Sequence, residues 1–359
     1  MILSHAERLA RLRLIRTEGI GPASFRRLLE RFGSAEQAAA ALPDLAGRTG
    51  AIFPQAEAEE EMARAETVAA AHVFLGEADY PPLLAQLPDA PPVLLASGDL
   101  ALARRPVLGI VGARNASAAG RQLAAAMAEA LGAEGWVIVS GMARGIDAAA
   151  HQAALATGTI ACVAGGTDIF YPPENAALQE RVLESGLVLS EMPPGTQPQA
   201  RHFPRRNRLI AGIAEGLLVI EAAQGSGSLI TARLAGEAGR EVMAVPGHPA
   251  DPRARGGNGL IKSGATLVED PVDVLAALRP FALAGDGVAE PAQAIVEAED
   301  ETPQDARAII EALLSPAPVA VDLLVRESGL PAGAVAAILL ELELAGRLVR
   351  HSGGRVASA

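Results

Sequence analysis

The chain has 359 residues, of which 50% are hydrophobic, and this length and composition allow two or three domains with a sizeable buried core. The net charge of −12 argues against a uniformly basic nucleic-acid binder, although acids and bases are segregated along the sequence. A single cysteine, Cys162, excludes an internal disulfide and a thiolate metal cluster. Because long apolar runs and a signal-peptide core are missing, we expect a cytoplasmic protein with no membrane partner.

Residues 1–78 are predicted to form a helical N-terminal domain. Apolar side chains recur at three-to-four spacing in "AERLARLRLIRT" and "SFRRLLERFGSAEQAAAAL". Between them lies "GIGP" (19–22), and a helix, a Gly-x-Gly turn and a second helix resemble a helix-hairpin-helix (SAM-like) unit, whose exposed amides can hold a backbone phosphate. A small packing module without DNA contact is an equally good interpretation.

Residues 79–279 alternate between short apolar runs and helical stretches, and the helices are predicted over 118–133, 147–157, 175–185, 207–214 and 229–238. The runs are "VLGIV" (107–111), "WVIVS" (136–140), "TIACVA" (159–164), "LVLS" (187–190), "LLVIE" (217–221) and "VMAV" (242–245). Strands that are apolar throughout and that alternate with helices indicate a parallel sheet covered on both faces. The sequence therefore predicts an α/β fold with a doubly wound, Rossmann-like parallel sheet.

The C-terminal region is predicted as a linker followed by a small domain. Residues 280–302 are rich in Ala, Gly, Pro and acids and have no periodicity. Residues 303–359 suggest three helices and a Gly-turn hairpin, which is the outline of a winged helix. The third helix of such a domain reads DNA, yet here it carries Glu341 and Glu343 and no base, so we expect a protein-contact module.

The predicted strands end in glycine-rich loops, which favours an anion-binding crevice. These ends read "VGARNAS", "SGMARGID", "AGGTDIFYPPEN", "SEMPPG", "EAAQGSGSLITA" and "VPGHP". Ligands of open α/β sheets bind beyond the carboxyl ends of the strands, where glycines let backbone amides approach closely. The spacings for a dinucleotide fingerprint, a P-loop and a nucleophile elbow are all missing. We therefore predict no catalytic residue, no metal site and no cofactor.

Arginines gather at the same strand ends, and they favour a chain of phosphates over a single one. They are Arg114, Arg144, Arg201, Arg205, Arg206 and Arg208. Phe203 lies among them, where it could stack on a base or plug the edge of the domain. Asn207 could fix the loop or contact a nucleotide. The pattern points to a polynucleotide, and an exposed aromatic ring favours single strands.

Several of these motifs occur together in one known family. "IVGARNASAAG", "VSGMARGIDAAAH", "TDIFYPPEN", "SEMPPG", "HFPRRNRLIAGI", "EAAQGSGSLITA" and "VPGHP…GGNGLIKSGA" resemble the DNA-processing protein DprA (Smf) family over roughly residues 80–280. The resemblance implies a protein that binds and protects incoming single-stranded DNA during natural transformation and helps load the RecA recombinase onto it. It also implies a homodimer that forms through the Rossmann-like domain and has no catalytic activity.

The resemblance also implies roles for individual residues. By position, Arg114 would be the principal phosphate-binding residue, Phe203 would contact a base, and Asn207 and Arg208 would shape the pocket with residues 226–228. Ala200 stands where some relatives carry a DNA-holding lysine, and the neighbouring Arg201 or Arg205 could take over its role. The complete predicted DNA-binding set is Gly112, Arg114, Ser140, Gly141, Arg144, Arg201, Phe203, Arg205, Arg206, Asn207, Arg208, Ser226, Gly227 and Ser228.

Two other functions compete with DNA binding. Nucleotide phosphoribohydrolases of the cytokinin-activating type also place Gly/Thr loops and an arginine around a nucleoside monophosphate, but they are expected to carry P-G-G-x-G-T-x-x-E. Here "GSGSLITA" lacks the Pro-Gly-Gly and the glutamate. A pure scaffold for RecA is the third possibility, and whether DNA binds at all distinguishes it.

Overall fold

The chain forms two compact units in the computed structural model, which describes residues 3–45, 52–284, 306–314, 318–351 and 354–358. The described residues from 59 to 284 make up the first unit. The second unit joins residues 3–58 to the described residues beyond 305, so the two ends of the sequence pack together.

The N-terminal part of the second unit is helical, as predicted. Its helices are α1 (His5–Arg16), α2 (Pro22–Phe32) and α3 (Ala35–Leu45), and α4 (Gln55–Thr67) runs on into the first unit. The predicted stretch 24–42 is split because Gly33 adopts a φ of 78°, a left-handed conformation that ends α2. The carboxylate of Glu7 accepts hydrogen bonds from the amides of Ala35 and Glu36 and so caps α3 from within α1.

The first unit is built from a nine-stranded sheet and its connecting helices. In chain order the elements are β1 (Ala71–Phe74), α5 (Pro82–Ala85), β2 (Val93–Gly98), β3 (Val107–Gly112), α6 (Ala118–Ala133), β4 (Val137–Ser140), α7 (Ile146–Ala154), β5 (Thr159–Cys162), α8 (Ala176–Ser185), β6 (Leu187–Ser190), α9 (His202–Ile213), β7 (Gly216–Ile220), α10 (Gly227–Glu237), β8 (Glu241–Ala244), α11 (Arg255–Lys262), β9 (Thr266–Leu267) and α12 (Pro271–Ala284).

The strand order is β1-β2-β6-β5-β4-β3-β7-β8-β9, and the seven strands from β6 to β9 in this order are parallel. This confirms the predicted doubly wound fold. One edge of the sheet differs from the predicted parallel arrangement. There β1 pairs antiparallel with β2, and β2 pairs antiparallel with β6, so the sheet is mixed. The interpretation of residues 71–74 as helical was wrong. The order reverses at β3, and ligands of such sheets bind beyond the carboxyl ends of the strands at this point.

Apolar side chains cover both faces of the central strands. Val107 and Val139 belong to one core cluster, whereas Leu108, Ile110 and Ile138 belong to another, and all five are essentially inaccessible to solvent. A strand that is buried on both sides cannot alternate apolar and polar residues, which explains the continuous apolar runs in the sequence.

The C-terminal part of the second unit is a winged helix. It contains α13 (Ala306–Leu313), β10 (Val319–Ala320), α14 (Val321–Ser328), α15 (Ala332–Leu344), β11 (Leu348–His351) and β12 (Arg355–Ser358), and its sheet has the order β10-β12-β11. Since α12 continues to Ala284, the predicted linker 280–302 begins inside a helix, and residues 285–302 lie outside the described residues. Within the described segments, no single helix is long and apolar enough to cross a membrane.

Candidate nucleic-acid interface

An aromatic ring held between two guanidinium groups lies at the centre of the crevice. Arg114 follows β3, and its Cζ lies 5.6 Å from the centre of the Phe203 ring. Arg206, one turn further along α9, approaches the same ring to 5.7 Å. Both distances fall within the range of cation–π contacts, so Phe203 is fixed in place by one residue of the loop after β3 and one residue of its own helix, α9. The predicted convergence of Arg114 with the arginine-rich segment is thus present.

Two cavities of about 250 Å³ each open on either side of this ring. The first, called the tyrosine-side cavity, is lined by residues that include Gly141, Arg144, Gly165, Tyr171 and Glu174. The second, called the serine-side cavity, is lined by residues that include Asp147, Asn207, Gly227, Ser228 and Thr231. Arg114, Ala143, Phe203 and Arg206 line both, so the ring and its two arginines form the shared wall.

The loops that carry these residues are tied to one another. The amide of Ile146 donates a hydrogen bond to the carbonyl of Ala113 at 3.3 Å, which joins the loop after β4 to the loop after β3. Gly145 lies at a φ of 81°, and a side chain there would overlap the backbone of Ala113 and Arg114. Only glycine therefore permits this close approach. The positions of Arg114 and Arg144 consequently depend on one another.

Two buried side chains of opposite charge, Asp147 and Arg206, interact electrostatically at the shared wall. The carboxylate of Asp147 accepts hydrogen bonds from the amides of Gly141 and Ala143 at 3.1 and 3.3 Å. Burial raises the pKa of Asp147, and the neighbouring Arg206 cation opposes this rise. Burial likewise lowers the pKa of Arg206, whose Nε has no hydrogen-bond partner among the described residues. Asp147 thus uses the loop amides that we expected to face a ligand.

The N-terminus of α10 points its backbone dipole toward the serine-side cavity. The side chain of the N-cap residue Ser226 makes no capping hydrogen bond to a backbone amide of the helix, and its hydroxyl lies 2.8 Å from that of Ser228 instead. The side-chain nitrogen of Asn207 lies 3.5 Å from the carbonyl of Gly227 and links α9 to this end of α10. Helix N-termini favour anions, and here one faces the same cavity as Arg114 and Arg206.

Other members of the predicted set have structural roles. Arg208 donates to both carboxylate oxygens of Glu191 and to Asp89, so its charge is neutralised inside the protein. Ser140 is fully buried and donates to the carbonyl of Ile110 at 2.6 Å. A side chain at Gly112 would overlap the backbone of Ile220, so this glycine is required for contact between β3 and β7. These three residues are therefore not part of the exposed surface of the crevice.

Helix α9 begins earlier than the sequence suggested. We expected a helix from Asn207, whereas α9 starts at His202, because Pro204 occupies its first turn, where proline is tolerated. Arg205 therefore lies on the helix rather than in the loop before it. Arg201 and Arg205 are both exposed beside the buried Arg206.

The sequence interpretation missed one aromatic residue. Tyr171, which is not in the predicted DNA-binding set, is 45% exposed, and its ring centre lies 6.0 Å from that of Phe203. The sequence feature that could have indicated this exposure is the position of Tyr171 in a Pro-rich loop at the end of a strand. Arg144 and Glu174 form an exposed ion pair of 3.3 Å at the same cavity. Within the described residues, no group of three or more His, Cys, Asp or Glu side chains could hold a metal ion.

Comparison with known proteins accounts for all three parts of the chain. Residues 71–279 match the family described as DNA recombination-mediator protein A. Residues 5–69 match the DprA-like N-terminal HHH domain, and residues 289–354 match the DprA winged helix domain.

Individual relatives agree with this result. The DNA processing protein DprA of Bacillus subtilis is 46% identical over 198 residues, which cover 54% of this chain and 67% of that protein. The X-ray structure of DprA from Streptococcus pneumoniae superposes with a TM-score of 0.67 at 36% identity, covering 77% of this chain and 98% of the other. DNA processing protein A from Helicobacter pylori, whose structure concerns its single-stranded DNA binding mode, gives a TM-score of 0.54 at 28% identity, covering 58% of this chain and 96% of the other. Since the family match alone covers more than half of the sequence, this chain belongs to the DprA family of DNA recombination-mediator proteins.

Proposed function

We propose that this protein binds single-stranded DNA in the crevice around Phe203 and passes the strand to the RecA recombinase. The observation that carries the proposal is the ring of Phe203, held by Arg114 and Arg206 between two open cavities. Unpaired bases can stack on such a ring, whereas the paired bases of a duplex have no free faces. The solved relative from Helicobacter pylori, which is described by its single-stranded DNA binding, supports the same ligand.

In the proposed interface, different side chains contact phosphates and bases. Arg114, Arg144, Arg201 and Arg205 would contact phosphates, because their guanidinium groups are exposed at or beside the crevice. Phe203 and Tyr171 would stack on bases. The N-terminus of α10, at Ser226, Gly227 and Ser228, would receive a further phosphate. Arg206 would form part of the shared wall, and Gly141 would line the tyrosine-side cavity.

The test compares two arginines at opposite ends of the same strand. Arg114 follows the carboxyl end of β3, whereas Arg104, 58% exposed, precedes its amino end. A hydrogen bond to a charged group contributes about 1.5–3 kcal/mol, so Arg114→Ala should weaken binding of a labelled oligonucleotide by roughly ten- to 150-fold. Arg104→Ala should leave the affinity unchanged. Equal losses in the two variants, measured by fluorescence anisotropy, would contradict the proposed site.

The absence of catalysis is part of the proposal and has its own test. The buried Asp147 is committed to two backbone amides, and Glu174 to Arg144, so neither carboxylate is held ready for hydrolysis. A nucleoside monophosphate incubated with the protein should therefore remain intact by chromatography. Release of free base would support the phosphoribohydrolase instead.

RecA loading, homodimer formation and action in the cytoplasm complete the proposal, and the match to a DNA recombination-mediator family supports the first of them. A protein that gives a strand to a recombinase must bind DNA reversibly, and exposed arginine contacts of moderate strength suit that role. RecA filament assembly on strands coated with a single-strand-binding protein should be faster with the wild type than with Arg114→Ala. Equal assembly rates would exclude the loading function.

A further inference from the structure

Helix α15 of the winged helix is buried on two sides. Val335, Leu339 and Leu342 pack in the core of its own domain. Leu340, only 2% exposed, instead belongs to the core cluster of the N-terminal helices, together with Phe25 and others. The third helix of a winged helix ordinarily reads the major groove. Here the α2 side of that helix is already occupied within the same chain.

Two ion pairs flank Leu340 and complete the contact. Arg27 Nη2 lies 2.7 Å from Glu343 Oε2, and Arg31 Nη2 lies 2.8 Å from Glu341 Oε1. We call these five residues the α2–α15 latch. All four charged side chains are only partly buried, with 21–32% of each exposed. Because solvent ions reach partly exposed ion pairs, a competing anion can displace the glutamate carboxylates from the arginines.

Further arginines contact the two glutamates of the latch. Glu343 also accepts a hydrogen bond from Arg350 at 3.0 Å, and Arg307 lies 3.8 Å from Glu341. Burial lowers the pKa of Arg27, its partner Glu343 opposes this fall, and the nearby Arg350 adds a smaller lowering. The two glutamates of α15 that argued against phosphate in the sequence are thus already neutralised by arginines of α2 and of the winged helix. Without these glutamates, α2 would present unpaired cations.

We propose that α2 carries a second phosphate-binding surface and that α15 keeps it closed. Glu341 and Glu343 occupy the guanidinium groups of Arg27 and Arg31, and a carboxylate and a phosphate use the same donor geometry of arginine. Nucleic acid that displaces the glutamates would gain two phosphate contacts and release the winged helix. The inference rests on the proposed nucleic-acid binding function and adds a regulated surface outside the Phe203 crevice.

Removal of the acidic half of the latch tests the inference in the full-length protein. Glu341→Gln/Glu343→Gln should raise the affinity for a labelled single-stranded oligonucleotide. The slope of log affinity against log salt should steepen by about 1.4, since each phosphate contributes about 0.7. Adding Arg27→Gln/Arg31→Gln to this variant should cancel both changes. The matched control is Glu59→Gln/Glu60→Gln, which makes the same change of net charge on exposed positions of α4.

Each outcome decides between the alternatives. An unchanged slope in Glu341→Gln/Glu343→Gln, or an equal gain in the α4 control, overturns the latch. If the double variant does not fold, Leu340→Ala, which weakens docking without changing charge, should steepen the slope in the same direction, and its failure to do so is equally decisive. Hydrogen exchange of the α2 and α15 amides should increase together in either variant. Failure of the proposed DNA-binding function can be distinguished from failure of the latch, because in the former case the wild-type protein would bind no DNA.

Discussion

At the scale of single residues, the crevice depends on side chains that hold one another in place. Phe203 is only partly exposed, yet its ring contacts two guanidinium groups and faces Tyr171. The arginines nearby are not equivalent: Arg206 is buried over Asp147, Arg208 is neutralised by Glu191, and Arg114 is exposed. Position, rather than residue type, therefore decides which of them can meet a phosphate.

The first prediction for a single residue concerns the aromatic ring of Phe203. Stacking contributes about 1–3 kcal/mol per base, so Phe203→Ala should weaken single-strand binding by roughly five- to 150-fold. Phe203→Trp should retain most of the affinity, because it keeps a π-face. Titration with a labelled oligonucleotide measures both. If the residue were only a plug of the domain edge, the alanine variant would lower the melting temperature and spare the affinity.

The second prediction concerns the buried His151. Its Nδ1 lies 2.7 Å from the Thr159 hydroxyl, which itself donates to the carbonyl of Ile138, so Nδ1 carries the proton. Burial lowers the pKa of His151 to about 3. Between pH 6.5 and 3 the unfolded chain binds a proton that the folded protein excludes, and the free energy of unfolding therefore falls as the pH falls.

His151→Asn should reduce this acid sensitivity. The asparagine amide can still donate to Thr159 but does not titrate. Urea unfolding should show that the wild type loses more stability than the variant between pH 6.5 and 5, by up to about 1.4 kcal/mol per pH unit. Parallel pH profiles for the two proteins would mean that His151 titrates normally.

At the scale of secondary-structure elements, the sequence predicted the strands and helices whose hydrophobic pattern is unambiguous. The strands from β3 to β8 were predicted because burial on both faces leaves an apolar run, and α6 was predicted with its observed ends at Ala118 and Ala133. β1 was missed because four residues at the edge of a sheet leave a signal too short to separate from the helical stretch before it. The start of α9 was missed because Pro204 and the arginines obscure its first turn.

The candidate site was harder to predict than the fold. The sequence predicted that Arg114 and Phe203 lie at one edge, because ligands of an open α/β sheet bind beyond the carboxyl ends of its strands. It could not separate Arg206 from Arg208, since burial and ion pairing are properties of the folded chain. It also assigned the Gly141 amide to a ligand, whereas a carboxylate six residues later accepts its hydrogen bond.

Two glycine-to-alanine substitutions test the packing described for the loop after β4 and for α10. A Cβ at residue 141 would overlap Arg206 Nη1 and lie 2.9 Å from Asp147 Oδ2, so Gly141→Ala should lower the free energy of unfolding by about 1–3 kcal/mol. At Gly236 in α10 the nearest atom to a Cβ is 3.9 Å away, and Gly236→Ala should stabilise the helix by about 0.5–1 kcal/mol. Chemical denaturation compares both variants with the wild type, and destabilisation of similar size at the two positions would contradict this packing.

At the scale of the whole molecule, an acidic protein must bind a polyanion through a local excess of arginine. The net charge is −12, but exposed guanidinium groups concentrate near the crevice. Since Arg208 is neutralised and Arg206 is buried, we expect only the four exposed arginines of the proposed interface to neutralise phosphates there. The slope of log affinity against log salt should then be roughly −2 to −3, at about −0.7 per phosphate. A flat response between low and moderate salt would exclude backbone contacts as the source of affinity.

The two edges of the nine-stranded sheet also shape how copies of this protein can meet. β1 contributes four residues to one edge and β9 only two to the other. An edge this short offers few unpaired backbone groups to a neighbouring chain, which is a common protection against aggregation. Association of two copies would therefore have to rely on side-chain packing between surfaces, and concentrated solutions should resist the growth of fibres by strand addition.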